Sequence, residues 1–400
     1  MSRPHPLRTV SATLCGAMHR LHNILWAALI PLAALFLFAG AGRPAGSAKA
    51  YRVYVGSYTT KTSSKGIYQF QFDPATGKMS ALELAGESQD PSWVIVHPSG
   101  RYLYAANEHG KDSSISAFSI AAKSGKLTLL NRLPALGEDP CHLGFDHTGK
   151  FLLTANYTSG NAAVFPVLAD GKVGEHTALV RNEGAPGPNH ERQEGPHAHW
   201  IGASERNRFV YVADLGLDKV LVYKFDGAQG TLTPAAGAAT AKPGTGPRHV
   251  VVSGDGRFMY VLGELDSTVT VFSLDQEIFR PVETVPMLPR GFSGRNDAAE
   301  IALHPSGKFL YASNRGHDSI AVYAVDAGKG TLALVADVPT GGKEPRHFAI
   351  DPTGRFLLVE NQFSDTIVEF RINPASGKPT PTGETLAVPS PVCLSFLPLD

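Results

Sequence analysis

Arg52-Val-Tyr-Val-Gly-Ser57, Tyr102-Leu-Tyr-Ala-Ala-Asn107, Phe151-Leu-Leu-Thr-Ala-Asn156, Phe209-Val-Tyr-Val-Ala-Asp214, Phe258-Met-Tyr-Val-Leu-Gly263, Phe309-Leu-Tyr-Ala-Ser-Asn314 and Phe356-Leu-Leu-Val-Glu-Asn361 are one segment written seven times. Their first residues are spaced by 50, 49, 58, 49, 51 and 47. Around each full copy the same order recurs. An apolar stretch such as Trp93-Val-Ile-Val96 comes first. A turn such as His97-Pro-Ser-Gly100, Asp146-His-Thr-Gly149 or Asp351-Pro-Thr-Gly354 follows, and then the aligned segment. A third run, such as Asp318-Ser-Ile-Ala-Val-Tyr323, and a fourth, such as Thr331-Leu-Ala-Leu-Val335, complete the unit. The runs are short, rich in Val, Tyr and Phe, and bounded by Gly and Pro, as strands are. No sustained helical period interrupts them.

Four short strands in a repeat of this length predict an all-β fold, a seven-bladed β-propeller with four-stranded antiparallel blades. One blade cannot bury both faces alone, and a ring of neighbours buries them mutually. The first copy lacks an inner strand, whereas Pro391-Val-Cys-Leu-Ser-Phe396 has an inner-strand pattern and no blade of its own. The C-terminal strand is therefore expected to complete the N-terminal blade.

The rest of the chain fits one propeller domain over residues 51–400. Of the 400 residues, 43% are hydrophobic and 18% charged, a globular composition. Lys+Arg and Asp+Glu balance at 36 each, so no overall charge draws the chain to nucleic acid or to anionic lipid. Residues 1–50 read differently. Arg3, Arg8 and Arg20 precede an apolar run from Ile24 to Gly42, and the segment ends Ala48-Lys49-Ala50. That pattern predicts an export leader cleaved after Ala50, and hence a periplasmic or secreted protein. The alternative is an uncleaved membrane anchor. Cys141 and Cys393 lack metal spacing and are expected to be small core residues. The mature protein is expected to be monomeric.

Register places a site. Inner-strand starts and second-strand ends share one face of a propeller. Ten positions before each aligned segment stand Ser92, Cys141, His199, Arg248, Ala299 and Arg346; nine before, Trp93, His142, Trp200, His249, Glu300 and His347. Six after its first residue stand Glu108, Tyr157, Leu215, Glu264, Arg315 and Gln362. Apolar strands give way there to His, Arg and Glu. Guanidiniums gathered at one mouth repel unless a carboxylate or a bound anion compensates, and Arg suits planar recognition of carboxylate or phosphate. The spacing of 58 reflects a longer polar connection, Arg181 to His199, that ends at this mouth. His197 and His199, with His190 nearby, have metal-ligand spacing but no acidic partners, and no metal or other cofactor is expected. There is no G-x-S-x-G elbow and no C-x-x-C-H, which argues against a serine esterase and covalent haem.

Several of these stretches carry a resemblance. Arg192-Gln-Glu-Gly-Pro-His-Ala-His199 with Ala213-Asp-Leu-Gly-Leu-Asp218, Gly246-Pro-Arg-His249 with Gly263-Glu-Leu-Asp266, Asn314-Arg-Gly-His-Asp-Ser-Ile320, and Glu344-Pro-Arg-His347 with Glu360-Asn-Gln362 are similar to the lactonase-family propellers. That family includes propeller-type 6-phosphogluconolactonases and carboxy-muconate lactonizing enzymes. The resemblance implies hydrolysis of a small sugar lactone, and its proposed catalytic His, Arg and Glu correspond here to His199, Arg248 and Glu264. In that reading His199 or Glu264 acts as base and Arg248 steadies the oxyanion, with Arg315, Arg346, His197 and Arg192 binding substrate. The competing expectation is an exported propeller that binds an anionic ligand or a protein without chemistry.

Overall fold

The computed structural model describes residues 48–275 and 278–399. Among these, twenty-eight strands form seven four-stranded sheets, and the only helical pieces are two 3₁₀ turns. Each sheet is a blade, with consecutive strands antiparallel from the axis outward. Blade 1 is the exception in chain order. Its inner strand is Pro391–Leu399, paired with Ala50–Ser57 from Ala50 opposite Leu399 to Gly56 opposite Cys393. The ring thus closes by hydrogen bonds between the two ends of the propeller, as the sequence predicted. Residues 1–47 of the expected leader lie outside the described residues; its last residue, Ala50, opens the strand paired with Pro391–Leu399.

The reason for seven similar segments is visible in burial. Second strands such as Phe151–Asn156, Phe209–Asp214, Phe258–Gly263 and Phe356–Asn361 are buried at every residue, because a neighbouring blade covers each face. They therefore read as continuous apolar runs. Fourth strands such as Pro379–Ala387 lie at the rim and are largely exposed. Each of the hydrophobic clusters draws on two adjacent blades. One joins Phe151, Leu153 and Val164 to Ile201, Val212 and Tyr223; another joins Tyr51 and Phe72 to Phe356 and Leu358 across the closure.

Polar contacts repeat with the blades. Tyr54, Tyr104 and Tyr311 occupy the same place in their segments, and each donates its hydroxyl to a glycine carbonyl in the next blade: Gly125 at 2.9 Å, Gly171 at 2.7 Å and Gly377 at 2.6 Å. The glycine closing the turn between first and second strands has φ of 68–74° at Gly100, Gly149, Gly256, Gly307 and Gly354, a left-handed conformation that side chains disfavour. That requirement explains why Gly recurs there.

Candidate active site

In all seven inner strands the pairing slips by one residue near the start. Pro91 faces Asn107 and Trp93 faces Ala106, so Ser92 is supernumerary. The same slip isolates Cys141, His199, Arg346 and Val392, and it sets Arg248 with His249, and Ala299 with Glu300, against single partners. These are β-bulges, which re-aim side chains where a ladder ends. Five of the seven strands begin with Pro, at Pro91, Pro140, Pro247, Pro345 and Pro391. The residue before each is left-handed: Asp90, Asp139, Gly246, Glu344 and Ser390, with φ of 40–64°. A sharp turn followed by a bulge lets two consecutive residues reach the channel, where a regular strand would send them to opposite faces.

The outer layer of these residues encloses a cavity of about 300 Å³ lined by Glu108, Cys141, Tyr157, Arg192, His199, Glu264, Arg295, Asp297, Arg315, Glu344 and Arg346. Glu264 is its electrostatic centre and is 3% exposed. Its Oε1 accepts from Arg192 Nη2 at 2.6 Å, while Oε2 lies 2.9 Å from Arg248 Nε and 3.3 Å from Arg315 Nη2. Burial alone would push this carboxyl up. The guanidiniums of Arg315, Arg248 and Arg192 outweigh burial and hold it at about 2. Conversely, burial and then the neighbouring Arg315 and Arg346 lower Arg248 to about 10, which leaves it a cation at neutral pH.

The other arginines differ in how fully they are engaged. Arg315 donates to the carbonyls of Asp297 and Ala298 and faces Glu344 at 3.6 Å, so it braces the site. Arg248 donates Nη1 to the Ala299 carbonyl. Among the described residues the Arg346 guanidinium donates to the Tyr58 hydroxyl alone, at 3.1 Å, and Tyr58 in turn donates to Glu108 at 2.7 Å. Arg192 comes from the long connection, which is pinned by the buried Gln193. That amide donates to the Leu215 carbonyl at 2.8 Å and to Asp218 at 2.9 Å. The pinned backbone presents Arg192 to Glu264, to the Tyr157 hydroxyl and to Asp297.

His199 lines the cavity, 5% exposed, with Nδ1 3.7 Å from Cys141 Sγ. Burial first, then Arg248, His249 and Arg346, holds its pKa well below the ordinary value, so the ring is neutral. No hydrogen bond joins His199 to Glu264 among the described residues. Burial pushes the Cys141 thiol up as well, making it a wall and not a nucleophile. One residue further in, Trp93, His142, His249 and His347 meet across the axis, with Trp93 ring centroids 4.2–5.5 Å from the three histidines. There His249 Nδ1 lies 3.0 Å from Glu300, and His347 Nδ1 2.6 Å from Glu360.

His197 departs from its expected place beside substrate. It stands before the strand, its ring stacked 4.6 Å from that of Tyr157, with Nδ1 on the Tyr157 carbonyl and Nε2 on Glu194. It supports Tyr157 from behind and does not line the cavity. His190 is an exposed loop residue. Among the described residues no three His, Cys, Asp or Glu side chains converge as metal ligands. Glu344 and Arg295 belong to the site but precede their strands, and Asp297 opens its strand opposite Arg315, two residues before the counted position. The recurring Pro at the inner-strand start is the sequence signal that marks the bulges.

Residues 52–396 match the family described as Lactonase, 7-bladed beta-propeller. A 6-phosphogluconolactonase of Bacillus subtilis is 37% identical over 349 residues, covering 87% of this chain and 98% of that protein. A 6-phosphogluconolactonase of Formosa agariphila is 35% identical over 308 residues, covering 74% of this chain and 85% of its own length. Among solved structures, the periplasmic gluconolactonase of Pseudomonas aeruginosa superposes with a TM-score of 0.82 at 33% identity, covering 87% of this chain and 99% of that one. With the ring, its closure and the family match in agreement, the chain belongs to the seven-bladed β-propeller lactonases.

Proposed function

We propose that the protein hydrolyses a sugar lactone to its free acid in the cavity around Glu264, and that it does so after export. The observation that carries this reading is a buried carboxylate shared by Arg192, Arg248 and Arg315 beside a neutral His199. Lactone opening needs an activated water, stabilisation of the oxyanion and a proton for the leaving alkoxide. His199 is the base, since it is neutral and faces the cavity, while both oxygens of Glu264 are engaged by arginines. His199 takes the proton from water as the hydroxide adds to the carbonyl, then returns it to the ring oxygen as the acyl–oxygen bond breaks. Arg248, held behind the cavity lining by Glu264 and the Ala299 carbonyl, supplies the positive charge that stabilises the oxyanion. Arg346 receives the product carboxylate.

Charge favours an unphosphorylated substrate. Arg192, Arg295, Arg315 and Arg346 line the cavity with Glu108, Glu264, Asp297 and Glu344, and Arg248 stands behind. One excess positive charge matches a single product carboxylate better than a carboxylate plus a phosphate dianion. The N-terminal leader pattern and the likeness to a periplasmic gluconolactonase support export.

The test is proton release from glucono-1,5-lactone and 6-phosphogluconolactone, side by side, by the purified protein and its Arg248→Ala variant. Acceleration lost in the variant, and greater on the unphosphorylated lactone, is the expected result. Arg248→Ala is expected to lose about 10²–10³ in kcat. Equal rates for the two proteins on both lactones would refute the reading and leave a binding propeller.

A further inference from the structure

Beside the inner cavity lies a larger one, about 880 Å³, with Tyr58, Thr60, Lys61, His109, Gln362 and Phe363 in its lining. The two are continuous in their walls. Glu108 lines both, and Tyr58 lines the outer cavity while holding Arg346 of the inner one. The inner cavity is at the small end of ligand pockets and suits one sugar ring. The outer one has room for a second.

Phe363 sets its character. At 72% it is the most exposed large hydrophobic among the described residues, and the others exposed beyond a third are aliphatic. Its backbone is anchored. In the 3₁₀ turn Gln362–Ser364, Gln362 N donates to the Glu344 carbonyl at 3.0 Å and Phe363 N to the Lys343 carbonyl at 3.2 Å. Lys343 N donates to Ser364 Oγ at 2.8 Å. The plate is therefore fixed to the backbone that carries Glu344 and Arg346. The facing wall is equally fixed. The buried Asp90 carboxylate accepts from Thr59 N at 2.7 Å, Thr60 N at 2.8 Å and Thr60 Oγ1 at 2.5 Å.

One exposed aromatic ring beside the part-buried Tyr58, among threonines, an imidazole and an amide, is too small an apolar patch for a protein partner. Lys61 and His109 face Asp90, Glu108 and Asp365, so no cationic cluster recruits an anion. A sugar ring, with an apolar C–H face and a rim of hydroxyls, matches this lining.

We propose that the outer cavity is a glycosyl subsite and that the substrate is an aldonolactone bearing a second sugar, stacked on Phe363. This rests on the lactonase reading. Water opens the lactone ester as above, and the glycosidic bond is untouched.

The test compares kcat/KM for lactobiono-1,5-lactone and glucono-1,5-lactone in the wild type, Phe363→Ala and Phe363→Tyr. The wild type is expected to favour the disaccharide lactone about tenfold; Ala should remove most of that ratio, about five- to tenfold, and Tyr should keep it. A wild-type ratio near one, or a ratio indifferent to Ala, overturns the proposal. Calorimetric titration with lactobionate and gluconate gives a readout free of turnover. Tighter lactobionate binding that Ala removes supports the subsite, and equal affinities overturn it. If neither lactone is accelerated over Arg248→Ala, the lactonase reading fails, and the titration alone decides the subsite.

Discussion

Replacing Glu264 by Gln preserves the shape of the side chain and deletes the one charge that Arg192, Arg248 and Arg315 share. The carboxyl is held at about 2 against an ordinary 4.5. At about 1.4 kcal/mol per unit, that difference corresponds to about 3 kcal/mol of stability at neutral pH. Removing one partner of a buried ion pair costs about 3–5 kcal/mol, so two routes to the magnitude agree. The sign follows from the direction of the shift. A depressed carboxyl contributes fully above the unfolded pKa, above about pH 5, and its contribution fades as pH falls toward about 2. The assay is urea unfolding of wild type and Glu264→Gln from neutral pH down to about pH 3, with the difference between the proteins plotted against pH. Taking the difference cancels Glu300, also held at about 2. A gap of about 3 kcal/mol at neutral pH, closing below about pH 4, is the expected result. A variant as stable as wild type at neutral pH, or a gap that does not change with pH, would refute the clamp.

Three further outcomes are expected, two from the structure and one from the leader pattern in the sequence. His199→Asn should lower kcat/KM by about 10²–10⁴ with the fold retained, and wild-type kcat/KM should stay flat from about pH 8 to about pH 6 because His199 is already neutral there. An acid limb centred near the ordinary imidazole pKa would assign the base elsewhere. Ending the chain before Pro391 strips Ala50–Ser57 of its partner and opens blade 1, so the product should be insoluble or lack cooperative unfolding; a soluble, cooperatively folded product would contradict closure by that strand. N-terminal sequencing of protein recovered outside the cytoplasm should begin at Tyr51, and a retained Met1 in the membrane fraction would establish an anchor.

The ring was legible because second strands are buried on both faces, so segments such as Phe209–Asp214 must be apolar throughout and repeat visibly. Counting from them reached His199, Arg248, Glu264, Arg315 and Arg346, since strand ends keep register around a symmetric ring. It could not show that Arg248 and His249 both reach the channel. Regular alternation sends neighbours to opposite faces, and only the slipped pairing changes that. Nor could it place His197. Two histidines two residues apart share a face in a regular strand, but the bulge at His199 and the turn before it send His197 behind Tyr157. Glu344 was hidden because it depends on a left-handed turn before its strand, and Asp297 because it lies at the very start of its strand, ahead of the counted positions.

The bulges have a consequence for how such a molecule changes its chemistry. A supernumerary residue belongs to no rung of its ladder, so its identity is decoupled from the pairing that holds the blade. Ser92, Cys141, His199, Arg248, Ala299, Arg346 and Val392 are in effect sockets at equal steps around one dial. A single codon change plugs a new group into a socket, and moving an imidazole from one socket to another would turn the attacking direction about the axis with the scaffold unaltered. Ala299 and Val392, occupied by side chains with no polar atoms, are the vacant settings of that dial.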